Sequence, residues 1–227
     1  MKVLNKLNLK DLLFIDIETV RLFDNFEDCP EDYKASWLYK VRHTTELSDL
    51  DMSPEALWAA KAALYAEFAK VVCITVGAVK EGDEVVLKSY FGDNESGILR
   101  NFGQVANKLT SSRLLCGHAI KGFDIPFLMR RYIVNQIPIP DAFDIAHLKP
   151  WEVNVIDTLD LWKGTGWASA SLMSISVALG CPSPKQDMGG SATSEVYYAG
   201  DIDAIVKYCE GDVTAVVNMI KKFKYAE

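Results

Sequence analysis

Apolar segments of strand length alternate with amphipathic segments of helix length along this chain. A short, continuous apolar run or a run of strand formers predicts a buried strand. Such runs cover residues 12–17, 71–79, 84–91, 113–116 and 154–156. The second and third are joined by a turn that contains Gly82 and Asp83, and this arrangement predicts a β-hairpin.

Amphipathic segments predict the helices that lie between and after these strands. Ser53 is a typical N-cap and Pro54 suits a first turn, so a helix is expected to begin there. The predicted helices cover residues 53–68, 95–109, 123–135, 171–179 and 201–224, the last of them in two pieces. This order of elements predicts an α/β fold with a mixed central sheet flanked by helices.

Two stretches lack a regular pattern. Residues 21–52 are polar and aromatic without a clear period, and together with the helix after them they indicate an insertion at about 21–69. Its aromatic side chains suit core packing, guidance of a substrate or contact with another protein, and they are Tyr33, Trp37, Tyr39, Trp58 and Tyr65. Residues 185–194 read as a polar loop. Since no repeat or linker divides the chain, we expect one domain over residues 1–227.

Composition narrows the classes of function. A chain of 227 residues that is 49% hydrophobic can build a substantial core. Its net charge of −7 argues against a protein that coats nucleic acid with a broad basic face, although an enzyme that holds a few phosphates remains compatible. The five cysteines are scattered without a C-x-x-C pair, so zinc is not expected. Reduced cysteines, no apolar leader segment and no long apolar stretch predict a cytoplasmic protein that does not enter the membrane.

Asp16 and Glu18 lie on the first predicted strand, which is otherwise apolar. Side chains at i and i+2 of a strand point to one face, and burying unpaired carboxylates is costly. A hard divalent cation such as Mg²⁺ or Mn²⁺ prefers carboxylate oxygens and would offset that cost. The ordinary alternative is a strand end with two solvated acids.

Two further acids occur in helical contexts. Tyr208 and Asp212 are four residues apart and share one face of a predicted helix. Asp124 comes just before Pro126, which suits a first turn, so Asp124 is expected near a helix N-terminus. The ordinary alternatives are a surface acid with a half-buried tyrosine, and an N-cap.

Taken in order, these segments resemble the motifs of the DEDD superfamily of 3′→5′ exonucleases. FIDIET at 14–19 is similar to the first motif, GHAIKGFDIPFLMRR at 117–131 to the second, and YCEGDVTAV at 208–216 to the third. The third is in its tyrosine form, Tyr-x-x-x-Asp, because Lys207 stands where the histidine form needs His. More narrowly, the chain resembles predicted exonucleases similar to the proofreading domain of B-family DNA polymerases.

The resemblance implies a ribonuclease H-like fold and a site for two divalent metal ions, Mg²⁺ or Mn²⁺. Asp16, Glu18 and Asp212 would hold the metal on the nucleophile side, and Asp16 and Asp124 the metal on the leaving-group side. Tyr208 would position the attacking water. Two such ions clamp the attacking and leaving oxygens of a phosphodiester. The implied partner is nucleic acid with a free 3′ end, single-stranded DNA first and RNA second, from which 5′-mononucleotides are released.

Substrate contacts are less sharply indicated. Phe123 suits stacking on a terminal base or packing in the core, and Thr19 suits contact with the terminal nucleotide or the end of a strand. Lys185 is similar to a phosphate-contacting lysine of some polymerase exonuclease domains, or it is a solvated loop residue. For Arg131 a helix face is favoured over a phosphate clamp, and for Asp157 an ordinary strand end over support of the site.

One departure from the polymerase pattern concerns the grip on the strand. Those domains usually carry Asn four or five residues before the second-motif aspartate, and here the positions hold Ile120 and Ala119. The alternatives to a single-strand exonuclease are a non-catalytic module that binds nucleic acid or a partner, and a ribonuclease on the same fold.

Overall fold

The computed structural model describes residues 4, 7–109, 113–149, 151–167, 169–182 and 192–224. Five strands form one sheet in the order β3-β2-β1-β4-β5. Their bounds are β1 Leu12–Arg21, β2 Ala69–Val79, β3 Val85–Phe91, β4 Leu114–Gly117 and β5 Val155–Asp157. β2 pairs antiparallel with both β1 and β3, whereas β4 pairs parallel with both β1 and β5. The predicted hairpin and mixed sheet are therefore confirmed.

Nine α-helices lie among the described residues. They are α1 Glu31–His43, α2 Thr45–Ser48, α3 Pro54–Lys61, α4 Glu95–Ala106, α5 Asp124–Val134, α6 Thr158–Lys163, α7 Leu172–Ala178, α8 Thr193–Tyr198 and α9 Ile202–Lys224. Short 3-10 turns occur at Leu9–Asp11, Phe26–Asp28, Ala62–Leu64, Glu81–Asp83 and Asp141–Phe143. The sequence pattern predicts neither α6 nor α8, because six residues are too few to display a helical period.

Alternating side chains of β1 divide the core between the two faces of the sheet. Ile15 and Ile17 pack in a cluster with residues of α4 and α5, including Phe102. Phe14 faces the other way and packs with residues of α9, including Val213. Helices thus cover both faces, which is the α/β arrangement expected from the sequence.

α9 is a single helix of 23 residues, so the prediction of two pieces is wrong. Gly211 lies in its middle without breaking it, because buried apolar side chains on both sides keep the helix against the sheet. Gly77 on β2 lets the helix approach closely, since a β-carbon there would lie 2.7 Å from Val213 Cγ1. Among the described residues, no helix combines the length and apolar character needed to cross a bilayer.

The segment at 21–69 is more ordered than its sequence suggests. It holds α1, α2 and α3 around an aromatic cluster in which Trp37 and Trp58 are fully buried with ring centroids 5.4 Å apart. These two rings serve as core, whereas Tyr39 is 65% exposed. The predicted helix at 53–68 ends at Lys61 and continues only as a 3-10 turn. The sequence pattern shows no helical period for α1, because Trp37 is the one buried side chain of this helix.

Candidate active site

The candidate site lies where β4 stops and leaves one edge of β1 free. On β1, β4 pairs only with Leu12, Leu13 and Phe14, so among the described residues no strand pairs with the second half of β1 on that side. The chain leaves β4 at Gly117, where a β-carbon would lie 2.8 Å from the carbonyl oxygen of Ile15. Glycine is therefore required for this close approach. The opening exposes backbone groups of β1 to the segment that follows Gly117.

Asp16 and Glu18 project from this part of β1 toward α9. Glu18 is 7% exposed, and Thr193 Oγ1 donates a hydrogen bond to its Oε2 at 3.2 Å. Cys209 Sγ donates to Asp16 Oδ2 at 3.2 Å. One ligand atom from each of Asp16, Glu18 and Cys209 lies within 4.8 Å of the others. The strand thus presents two nearly buried carboxylates side by side.

Asp124 reaches the same place from α5. It is the first residue of that helix and 4% exposed, and Phe123, not Asp124, holds the N-cap position. The backbone N–H groups of Asp124 itself and of Ile17 lie near this carboxylate and partly offset the rise in its pKa. Since Ile17 lies between Asp16 and Glu18, the third carboxylate is close to the free edge of β1.

α9 contributes the remaining pair. Asp212 and Tyr208 are one turn apart, and the Tyr208 hydroxyl interacts with the Asp212 carboxylate. The negative charge of Asp212 raises the pKa of both Asp16 and Glu18. The structure therefore brings together the four predicted carboxylates and the predicted tyrosine from three separate segments.

Burial raises the pKa of every one of these carboxyl groups, and repulsion by the other site carboxylates adds to the rise at Asp16 and Glu18. For Asp16 burial is the larger cause, followed by the charges of Glu18, Asp124 and Asp212. Burial likewise raises the pKa of Glu18 well above its usual range, that of Asp124 to about 7 and that of Asp212 to about 6. None of the salt bridges found among the described residues includes any of the four.

This donor set fits divalent metal ions. Four carboxylates supply hard oxygen ligands, and uncompensated negative charge in a largely buried place favours a cation. Burial raises the pKa of the Tyr208 phenol above its usual range, so this group stays protonated at neutral pH and can act as a donor.

The predicted substrate residues have structural contacts of their own. Thr19 is 7% exposed and its Oγ1 donates to the carbonyl oxygen of Ala63 at 2.7 Å. Phe123 is half-buried and packs on Phe127 with ring centroids 5.3 Å apart. Lys185 lies outside the described residues. Thr19 and Phe123 therefore follow Glu18 and precede Asp124 in the sequence, and the side chain of each contacts a residue outside the four carboxylates.

Several supporting residues escaped the sequence analysis. No local pattern marks Cys209 or Thr193, because their bonds to Asp16 and Glu18 join residues far apart in the chain. Asp157 is more than an ordinary strand end, since it is 4% exposed and its carboxylate accepts three backbone N–H groups. Arg131 does not lie on an exposed helix face, because it is buried and paired with Glu95.

Comparison with known proteins agrees with this picture. Residues 62–225 match a family described as "Predicted 3'-5' exonuclease related to the exonuclease domain of PolB". No curated protein sequence matches the chain significantly.

Two solved structures share the fold. The family B DNA polymerase of Pyrobaculum calidifontis has 13% identity and a TM-score of 0.54, over 93% of this chain and 24% of the polymerase. E. coli Exonuclease I, solved in complex with a dT13 oligonucleotide, has 12% identity and a TM-score of 0.50, over 94% of this chain and 41% of that protein. The chain therefore spans less than half the length of either, and at such identities the likeness concerns the fold, which is ribonuclease H-like as expected.

Proposed function

Because the chain belongs to the family of predicted 3′-5′ exonucleases related to the exonuclease domain of PolB, we propose that it is a metal-dependent 3′→5′ exonuclease. It would hydrolyse phosphodiester bonds from a free 3′ end and release 5′-mononucleotides, with single-stranded DNA as the preferred substrate and RNA as the second. The observation that carries this proposal is the convergence of Asp16, Glu18, Asp124 and Asp212 at the free edge of β1 without a salt-bridge partner among the described residues.

In the proposed site, Asp16, Glu18 and Asp212 hold one Mg²⁺ or Mn²⁺ ion, and Asp16 and Asp124 hold a second. When bound, such ions lower the pKa of a water and stabilise the charge on the attacking and leaving oxygens. The protein's own task is to keep the carboxylates in place. Glu18 is held by a hydrogen bond from Thr193 and Asp16 by one from Cys209, while Asp124 is placed by its position as the first residue of α5.

Tyr208 orients the attacking water in this proposal. Its raised pKa keeps it protonated at neutral pH, so it would act as a donor and not as a base, and its hydroxyl lies next to the Asp212 carboxylate. A single positioned hydrogen bond at a reaction centre is typically worth about 10²–10³ in rate.

Single-stranded DNA ranks first as substrate for two reasons. The E. coli relative of the same fold was solved with a dT13 oligonucleotide. The half-buried ring of Phe123 also immediately precedes Asp124 and suits stacking on the terminal base of a single strand. Since the chain carries a net charge of −7, binding should be modest, rest on few phosphate contacts and have a shallow dependence on salt.

The test is digestion of 5′-labelled single-stranded DNA and RNA of the same sequence with Mg²⁺ or Mn²⁺. We expect a ladder that shortens from the 3′ end, is absent with EDTA and is absent in Asp16→Ala. Asp203→Asn is the matched control, because it removes an exposed acid from the first turn of α9. A circular single strand should resist digestion, and cleavage of the circle would replace the exonuclease by an endonuclease. If neither linear substrate is degraded, the chain is a binding module.

A further inference from the structure

Asp157 ends β5 and is almost completely buried, at 4% exposure. Its Oδ1 accepts hydrogen bonds from the backbone N–H groups of Ala119 and Leu159, each at 2.9 Å. Its Oδ2 accepts one from the N–H of Lys121 at 3.1 Å. The bond to Leu159 caps α6, and the other two cross to the segment between β4 and α5. One carboxylate therefore ties this segment to the end of the neighbouring strand.

The held segment has an unfavourable backbone. Ala119 has φ of +57°, in the left-handed region that residues with a β-carbon avoid. Asn and Gly tolerate this conformation better than Ala does. The segment therefore needs an outside partner to stay in this shape, and the Asp157 carboxylate holds the N–H of the strained residue itself.

The strained residue is linked directly to the third carboxylate of the site. The carbonyl oxygen of Ala119 accepts hydrogen bonds from Gly122 at 3.0 Å and from Phe123 at 3.1 Å. The next residue is Asp124, the first residue of α5, which lies near the N–H of Ile17 on β1. A series of hydrogen bonds thus runs from Asp157 through Ala119 to Phe123, the residue directly before Asp124.

We propose that Asp157 is a positioning residue that sets the place of Asp124 by holding Ala119 in its left-handed conformation. This inference rests on the proposed function, since Asp124 is taken as a metal ligand. An acid is suited to the role because both oxygens accept and neither donates. In Asp157→Asn one side of the group becomes a donor and faces a backbone N–H, so at least one of the two crossing bonds is lost.

Asp160 offers a matched control on the same helix. Its carboxylate contacts Lys121 as well, but through the side-chain Nζ at 3.0 Å, and it also pairs with Lys163. Asp160→Asn therefore removes the same charge three residues away without touching the backbone of the segment. If Asp157 acted only through its charge, the two variants would behave alike.

Three measurements on the full chain would compare wild type, Asp157→Asn and Asp160→Asn. The first is amide hydrogen exchange over residues 117–124 in metal-free protein, the second is Mn²⁺ affinity by calorimetry, and the third is kcat and KM on a single-stranded DNA oligonucleotide. Removing a group that orients a metal ligand typically costs about 10–100-fold in metal affinity or activity. In Asp157→Asn we expect at least one of the two amides, that of Ala119 or that of Lys121, to exchange at least about tenfold faster. We also expect Mn²⁺ to bind about tenfold more weakly and kcat to fall with little change in KM. Asp160→Asn should stay within about twofold of wild type.

Two substitutions of Ala119 test the same positioning role, one alone and one combined with Asp157→Asn. Ala119→Val, with a β-branched side chain that is still less suited to the left-handed region, should weaken Mn²⁺ binding in the same direction. Ala119→Gly removes the strain, so adding it to Asp157→Asn should restore part of the lost Mn²⁺ affinity. Ala119→Val also keeps the inference testable if Asp157→Asn fails to fold.

Equal Mn²⁺ affinity and equal exchange in Asp157→Asn and Asp160→Asn would overturn the inference. So would an Ala119→Gly change that gives no rescue. These outcomes differ from failure of the exonuclease proposal, in which wild type itself degrades no nucleic acid. In that case amide exchange and Mn²⁺ affinity still decide whether Asp157 positions Asp124.

Discussion

Two glutamates with nearly the same exposure, Glu95 at 8% and Glu18 at 7%, have opposite surroundings. Glu95 accepts hydrogen bonds from Arg131 Nε and Nη2 at 2.8 and 2.6 Å, and also from Val71 N and Asn135 Nδ2, each at 2.8 Å. Its charge is therefore neutralised and its acceptors are occupied. Glu18 has one hydroxyl partner, Thr193, and feels the repulsion of other acids. The first arrangement is complete within the chain, whereas the second is left to be compensated by protons or, in the proposed site, by metal ions.

The largest expected effect on activity comes from removing a charge from the four site carboxylates. Asp212→Asn should lower turnover by at least about three orders of magnitude, because a neutral amide is a poor ligand for a hard cation and the transition-state charge loses its support. The metal-free variant should be at least as stable as wild type, since repulsion among the carboxylates decreases. Single-turnover rates and thermal unfolding without metal measure the two parts. Near-normal turnover would remove Asp212 from the metal site.

The Glu95–Arg131 pair should respond in the opposite way, with a loss of stability and little change in turnover. Arg131→Met leaves Glu95 buried without its cation, and breaking a buried pair from one side typically costs about 3–5 kcal/mol. Urea unfolding measures this loss, and kcat per folded molecule should change little. Arg130→Met is the matched control, because Arg130 is the exposed neighbour on the same helix and should change stability by less than about 0.5 kcal/mol. An equal loss in both variants would contradict the distinction between the two clusters.

The same comparison shows which parts of the fold and of the site can be predicted from the sequence. Asp16 with Glu18, and Tyr208 with Asp212, could be paired in advance because strand and helix periods fix which residues share a face. The sheet and its hairpin follow from apolar runs of the right length. The Glu95–Arg131 pair could not be foreseen, because its partners are 36 residues apart and each lies on its own helix. The role of Asp157 is hidden for the same reason, since its carboxylate binds backbone groups that show no side-chain pattern.

A smaller loss of turnover should follow from changing Tyr208, which lies beside the four site carboxylates. Tyr208→Phe removes one hydroxyl next to Asp212 and keeps the ring, so turnover should fall by about one to three orders of magnitude. KM and metal affinity should remain close to wild type, because the phenol is not a metal ligand in the proposed site. Steady-state kinetics measure kcat and KM, and calorimetry measures the Mn²⁺ affinity. An unchanged kcat would take Tyr208 out of the mechanism.

The smallest effect is a pH dependence of stability in the metal-free protein. Burial raises the pKa of Asp124 from 3.8 to about 7 and that of Asp212 from 3.8 to about 6. The folded protein therefore keeps protons that the unfolded chain has already released above about pH 4. This contribution to stability is fully present below about pH 4 and is lost as pH rises through about 7. The midpoint of thermal unfolding should therefore fall between pH 5 and 8, by about 2–4 °C for each kcal/mol of stability that a chain of this size loses.

Metal should cancel that pH dependence, because a bound cation replaces the protons as the partner of the carboxylates. Saturating Mn²⁺ at pH 8 should raise the unfolding midpoint, as expected for a ligand that binds only the folded state. Asp124→Asn should flatten the metal-free pH profile, since its neutral side chain no longer titrates. The Glu95–Arg131 pair serves as an internal reference, because Arg131→Met should lower stability while leaving the site's contribution to the slope between pH 5 and 8 in place. A wild-type profile that rises from pH 5 to 8 without metal would show that the four carboxylates are neutralised within the chain after all, and the contrast with Glu95 would disappear.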